Sequence, residues 1–123
     1  MKVRYKGIDE TGSYITGKEY PVISVIFGGS ENKIKFRLIP EDYIYSCLEK
    51  SDEFEIVDES LNLGWILDIL DSSYAELTPN AWKYDDFWPN LYDAFQKEKD
   101  IYREEIKKMF PEEKELHERL NDM

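Results

Sequence analysis

The stretch KIKFRL at residues 33–38 alternates basic and apolar residues without a break. Successive side chains of a β-strand point to opposite faces, so this alternation predicts a half-buried strand with Ile34, Phe36 and Leu38 facing inward. The preceding apolar stretch, Tyr20 to Phe27, is rich in β-branched residues and predicts a second strand. A sheet in the first part of the chain follows from these two segments.

Weaker strand signals surround this pair. Val3 and Tyr5 begin an alternating pattern, and Phe54 to Val57 is apolar between acidic turns. Gly28 to Asn32 has the composition of a loop. Residues 40–50 are ambiguous, because a proline followed by two acids favours a helix start, whereas the tyrosines that follow favour a strand.

The hydrophobic period changes from two to 3.6 after residue 78, which predicts helices in the last third of the chain. A long helix is expected from a stripe at helical spacing, and a shorter helix after Pro111. The residues of the stripe are Leu91, Phe95, Tyr102, Ile106, Met109 and Phe110. We expect Trp65, Phe95 and Ile106 to be core residues that join the strands to the helices.

The net charge of −11 is concentrated in the middle of the chain. Residues 41–92 hold thirteen acidic and two basic residues, while residues 1–40 hold seven basic and four acidic ones. Such a negative field repels phosphate backbones and attracts basic surfaces. The alternative interpretation is that these acids serve only solubility.

Signals for export or membrane insertion are weak. The single cysteine, Cys47, excludes an internal disulfide, and no apolar run approaches the roughly 20 residues that cross a bilayer. The N-terminus alternates like a strand and does not have the apolar stretch of a signal peptide. We therefore expect a cytoplasmic protein without a membrane partner.

Catalytic and metal-binding signals are also weak. The only histidine, His117, lies among charged residues near the C-terminus, and Cys47 has no histidine near it in sequence. The carboxylate pairs Asp85-Asp86 and Asp68-Asp71 have no recognisable ligand loop. We expect a protein that is not an enzyme and has no cofactor and no metal.

Basic residues of two strands offer an alternative function. Lys33, Lys35 and Arg37 lie on one strand face, and residues 2, 4 and 6 repeat this pattern with bases. If the two strands are neighbours, six bases line one sheet face that could bind nucleic acid. The other interpretation is that these are ordinary solvated strand positions.

Several stretches of the first half resemble the SH3-like β-barrel of small proteins from Gram-positive bacteria. These stretches are Val3 to Gly7, Gly17 to Ile23, Asp42 to Tyr45 and Phe54 to Val57. The resemblance implies that the region of Tyr43 is a strand followed by a tight turn. It predicts an α+β fold with an SH3-like antiparallel barrel part at 1–57, connecting strands at 58–80 and a helical part at 81–123, all within one domain.

The second half resembles predicted immunity proteins of bacterial toxin systems. The stretches that carry this resemblance are Trp65 to Leu67, Leu77 to Trp82 and Phe87 to Asp93. Together with the charge, it implies an acidic protein that neutralises a basic, nuclease-like toxin domain by direct binding. Nucleic acid is then not the partner, and the sequence leaves the oligomeric state open.

Aromatic side chains surrounded by acids suit a protein-binding surface, because such surfaces are held by a few buried aromatic anchors. We therefore place the partner-binding surface in residues 58–93. The candidate residues are Asp58, Glu59, Asp68, Asp71, Glu76, Trp82, Asp85, Asp86 and Trp88.

Overall fold

The computed structural model describes residues 1–29 and 33–123, which form an α+β fold of strands followed by helices. The strands are β1 (Lys2–Tyr5), β2 (Glu19–Pro21), β3 (Ser24–Gly28), β4 (Lys35–Leu38), β5 (Cys47–Lys50), β6 (Phe54–Asp58), β7 (Trp65–Ile69) and β8 (Tyr74–Pro79). The helices are α1 (Phe87–Tyr92), α2 (Gln96–Met109) and α3 (Lys114–Asn121). The predicted change from strands to helices after residue 78 is confirmed.

The strands form two antiparallel sheets, one with the order β2-β1-β6 and one with the order β5-β4-β3-β8-β7. The predicted α+β class with antiparallel strands is confirmed, but the sheets do not close into a barrel, because the described strands of the two sheets share no hydrogen-bonded ladder. The connecting strands β7 and β8 instead extend the second sheet through the pairing of β8 with β3. Ser30 to Asn32 of the predicted loop lie outside the described residues.

The predicted strand from Tyr20 to Phe27 is divided between the two sheets. β2 pairs with β1, and β3 pairs with β4 and β8, so the chain passes from one sheet to the other at Val22 and Ile23. Both residues are fully buried, but Val22 belongs to the core between the strands and Ile23 to the core beneath the helices. Because neighbouring side chains of an extended chain point to opposite faces, Val22 and Ile23 contribute to different cores.

Two hydrophobic cores lie on the two sides of the second sheet. The first contains aromatic and apolar side chains from the strands and from the loop before β2. The second is formed by the helices against Ile23 and Ile39, with Trp82, Phe87 and Tyr102 stacked near its centre. The inward positions predicted for β4 hold for Phe36 and Leu38, whereas Ile34 is exposed.

The predicted helix at residues 40–50 is wrong, and so is a strand at Tyr43. The chain makes a turn and a bend there before β5 begins at Cys47. Side chains of the helical part donate hydrogen bonds to backbone carbonyls of this segment, which in a helix or a strand ladder would accept from backbone N–H groups. Arg119 donates to the carbonyls of residues 40 and 43, Tyr102 to that of residue 44, and Tyr92 to that of residue 46.

The predicted long helix is broken before Gln96, because Ala94 adopts a left-handed backbone conformation with φ of 63°. The break turns Phe95 outward, with 53% of the residue exposed, so its predicted core position is wrong. Ile106 is fully buried, as predicted. Trp65 is half-buried and joins the two parts, since its Nε1 donates to Sδ of Met109 at 3.1 Å.

Ile106 and Phe95 provide a test of this arrangement. Ile106→Ala should lower the free energy of unfolding by about 2–5 kcal/mol, because a buried side chain leaves a cavity. Phe95→Ala should change it by less than about 0.5 kcal/mol, as expected for an exposed position. Chemical denaturation measures both values, and equal losses would contradict the break at Ala94.

Candidate functional site

A buried ion pair lies on the helix-facing side of the second sheet. Arg37 of β4 and Glu76 of β8 flank β3, and Nε of Arg37 donates to Oε2 of Glu76 at 3.1 Å. The same oxygen accepts a hydrogen bond from the Ser24 hydroxyl at 2.6 Å. Both charged side chains are almost fully buried, so each depends on the other for its stability in the fold.

Trp88 connects this ion pair to the helices. The guanidinium carbon of Arg37 lies 3.9 Å from the centroid of the Trp88 ring, a cation–π contact. Trp88 is also in edge contact with Phe87 and Trp82 of the helical core. A cleft of about 500 Å³ opens beside the pair, with Trp88 on one side and Leu70 on another.

The structure separates the nine predicted partner-binding residues into three groups. Glu76 and Trp82 are buried, the first in the ion pair and the second in the helical core, so they do not contribute to an accessible surface. Trp88, over Arg37, and Asp68, on β7, are half-buried. The predicted acids that are exposed are Asp58, Glu59, Asp71, Asp85 and Asp86.

The exposed acids and Asp68 do not all belong to one element. Asp85 and Asp86 precede α1, Asp58 ends β6, and Asp68 and Asp71 lie on and just after β7. Those of the β7 region are accompanied by exposed apolar side chains, whereas Asp85 and Asp86 precede the buried Phe87. The region around β7 therefore combines charge with apolar contact area.

β7 is an edge strand of the second sheet. Its Leu67 and Ile69 are 52% and 65% exposed, and Leu63 in the preceding loop is fully exposed. We define the β7 surface as Leu61, Leu63, Leu67, Asp68, Ile69, Leu70 and Asp71. Leu67 and Ile69 lie on one face of the strand, whereas Asp68 is half-buried on the other face, opposite Glu76. An edge strand with exposed apolar side chains presents both free backbone groups and hydrophobic area to a partner.

Two short acidic turns follow β6 and β7. Oδ1 of Asp58 accepts hydrogen bonds from N and Oγ of Ser60, and Oδ1 of Asp71 accepts the corresponding pair from Ser73. These hydrogen bonds lower the pKa of both carboxyl groups. Both acids are therefore ionised at neutral pH. The spacing Asp-x-Ser at 58–60 and 71–73 is the sequence signal for these turns.

The basic strand residues do not form the predicted common face. β1 and β4 belong to different sheets, and carboxylates lie beside most of these bases. Lys2 contacts Glu112 and Glu113, while Arg4 and Lys6 both contact Glu55. Such pairing lowers the positive potential that a phosphate backbone requires.

His117 and Cys47, the two other potentially reactive side chains, have surroundings typical of structural residues. Nε2 of His117 lies 2.5 Å from the Phe110 carbonyl oxygen, and burial raises the pKa of the Cys47 thiol. Within the described residues, no three His, Cys, Asp or Glu side chains are grouped closely enough to hold a metal ion.

Comparisons with protein-family models, with curated proteins and with solved structures find no match for this chain. The resemblance to SH3-like and immunity proteins therefore stays a prediction from the stretches that carry it. In the part of the chain that the structure describes, no helix combines the length and apolar character needed to cross a membrane.

The ion pair generates a stability prediction. Glu76→Ala should lower the free energy of unfolding by about 3–5 kcal/mol, because it leaves the Arg37 charge buried without a partner. The double variant Arg37→Met with Glu76→Leu should recover most of this loss. Urea denaturation of the wild type, both single variants and the double variant measures the coupling. A loss below about 1 kcal/mol in Glu76→Ala would contradict a buried, mutually dependent pair.

Proposed function

We propose that this protein is an acidic binding protein, and specifically a bacterial immunity protein that neutralises a basic, nuclease-like toxin domain by direct binding. The observation that carries the proposal is the β7 surface, where exposed Leu67 and Ile69 lie on one face of an edge strand, Asp68 lies on the other face and the exposed Asp71 follows the strand. Residues 58–72 contain four acids and no lysine or arginine. A basic protein with apolar groups between its charges would complement this surface.

The two kinds of side chain would contribute differently to such a complex. Long-range attraction between opposite charges accelerates association, whereas desolvated apolar contacts at the centre of an interface slow dissociation. The free edge of β7 could add backbone hydrogen bonds if the partner supplies a strand. The proposal includes the SH3-like character of the first half, which rests on the sequence stretches given above, and the cytoplasmic location, which rests on the single cysteine and on the composition of the sequence.

A nucleic-acid-binding module is the alternative function. It rests on the basic residues of β1 and β4, and the ion pairs of Lys2, Arg4, Lys6 and Arg37 weaken its support. A catalytic function has no comparable observation in its favour. We therefore develop the tests for a basic protein partner.

The partner is to be sought as the product of the neighbouring gene or by capture on the immobilised protein. The expected partner is basic, is toxic when expressed alone and is harmless when this protein is expressed with it. If no basic protein meets these three conditions, the proposed function is wrong.

Charge reversal tests the acids of the β7 surface. The double variant Asp68→Lys with Asp71→Lys should slow association with the partner by about tenfold at low salt, because electrostatic steering is lost. The rate should also become less sensitive to salt, which stopped-flow measurements over a salt series would show. The matched control reverses Glu118 and Asp122, exposed acids near the C-terminus. Equal slowing by both variants would attribute the effect to net charge alone.

Apolar truncation tests the other half of the same surface. Leu67→Ala with Ile69→Ala should speed dissociation by roughly several hundredfold, because interface anchors each contribute about 2 kcal/mol and every 1.4 kcal/mol is a factor of ten. Association should change little. The control is Ile56→Ala, since Ile56 is similarly exposed at 47% but lies on β6 of the other sheet. Surface plasmon resonance separates the two rates, and an unchanged dissociation rate would remove β7 from the interface.

A further inference from the structure

The cleft of about 500 Å³ beside the buried ion pair is formed mainly by the second sheet. Lys35 and Arg37 of β4, Ile26 of β3 and Tyr74 of β8 line it, and Trp88 of α1 is its helical wall. We call it the sheet cleft. Its volume lies within the range of about 300–1,000 Å³ that is usual for sites of small molecules.

The charged side chains of the sheet cleft leave one positive charge in excess. Lys35 and Arg37 are two residues apart on β4, so their side chains lie on the same face of the sheet. Glu76 is the one acid in the described lining, and it pairs with Arg37. Lys35 is half-buried and makes no ion pair with a described residue. A cationic cleft in a protein with a net charge of −11 is not expected from composition alone.

The guanidinium of Arg37 supplies an independent sign of a ligand. Its Nε donates to Glu76 and its face lies on Trp88, but its two Nη atoms make no hydrogen bond within the described part of the chain. Arg37 is only 8% exposed, and buried donors usually have an acceptor because leaving them unpaired costs free energy. The edge formed by the two Nη atoms matches the two oxygens of a carboxylate.

The register of β4 and β5 adds to the positive potential. Lys35 lies directly opposite Lys50 of β5 in the ladder. Like charges in this position repel each other, which destabilises the strand pair. An anion bound beside Lys35 would reduce this repulsion.

The rest of the cleft is apolar and aromatic. Ile26 forms its floor, since it pairs with Lys35 on one side and with Glu76 on the other. Tyr74 and Leu48 are 38% and 43% exposed, and the Tyr74 ring makes no aromatic contact with a described residue. Because β8 lies two strand spacings from β4, Tyr74 is about 10 Å from the cations.

We propose that the sheet cleft binds a small monocarboxylate that carries an aromatic ring. The carboxylate accepts hydrogen bonds from the Nη edge of Arg37 and from Nζ of Lys35, while the ring packs on Ile26 beside Tyr74. A dianion such as a phosphate monoester would bring a second negative charge close to Glu76, where the described lining offers no further cation. This site goes beyond the proposed function and does not rest on it.

Titration calorimetry with 3-phenylpropionate tests the site without any protein partner. This acid should bind in a saturable manner and shift the backbone amide NMR signals of Ile26 and Tyr74. The uncharged 3-phenylpropionamide and the dianion phenyl phosphate should each bind at least about tenfold more weakly. No saturable binding of the acid, or equal binding of the amide, would overturn the proposal. Tighter binding of phenyl phosphate would show that the carboxylate assignment is wrong.

A peptide probe distinguishes a free acid from the C-terminus of a protein. Acetyl-Gly-Gly-Phe has the same ring and carboxylate as 3-phenylpropionate but carries a peptide chain beside them. It should bind at least about tenfold more weakly, because the extra chain has no place in a cleft of this volume. Tighter binding of the peptide would overturn the assignment to a small free acid.

A lysine variant tests the charge. Lys35→Met should weaken binding of 3-phenylpropionate about tenfold and leave binding of the amide unchanged, since only the charge–carboxylate contact is lost. The matched control is Lys107→Met, because Lys107 of α2 is also half-buried and makes no ion pair with a described residue. Equal weakening by both variants, or no weakening by Lys35→Met, would contradict a site at Lys35.

A tyrosine variant tests the ring. Tyr74→Leu should weaken binding of 3-phenylpropionate severalfold but change that of the aliphatic acid hexanoate little, because only the aromatic contact is lost. A purely structural role of Tyr74 would weaken both acids equally, and that result would contradict the placement of the ring.

Thermal unfolding shows whether Lys35 is needed for the fold. Lys35→Met should leave Tm unchanged or raise it, because it removes one of two like charges that face each other. A fall in Tm of more than about 5 °C would show that Lys35 is a structural residue and would contradict a site kept for a ligand.

Discussion

The hydrogen-bonded ion pair between Arg37 and Glu76 is the interaction on which the arrangement of sheet and helices depends. The pair connects β4 to β8 across β3, and the Arg37 guanidinium makes a cation–π contact with the ring of Trp88 in α1. Charges removed from water to this extent are tolerated only when they are paired and hydrogen-bonded. The pair therefore favours one register of the strands and one position of α1 over alternatives that would separate the charges.

The same charge balance explains why the outside of the protein is so acidic. Several bases of the N-terminal part are used in ion pairs, while acids at 58, 59 and 71 are exposed. A strand edge with exposed Leu67 and Ile69 would invite pairing between copies of the chain. Negative charges next to such an edge, here Asp68 and Asp71, oppose that pairing.

Much of the fold could be predicted because it depends on local pattern. The alternation at residues 33–38 specifies a strand with Phe36 and Leu38 inside, and the later 3.6-residue period specifies helices that bury Tyr102 and Ile106. The concentration of acids in the middle of the chain is likewise a property of the sequence alone. These features require only the nearest neighbours along the chain, so tertiary contacts do not alter them.

Tertiary structure decided what each charged or aromatic side chain contacts. Glu76 counts among the acids in sequence but is buried beside Arg37, and Phe95 continues an apolar stripe but turns outward after Ala94. Asp9 is far from Glu49 and Glu53 along the chain and meets them only where the loop after β1 approaches β5 and β6. Periodicity tells which face a residue occupies, whereas the partner on that face depends on strand order and on the backbone groups that distant side chains satisfy.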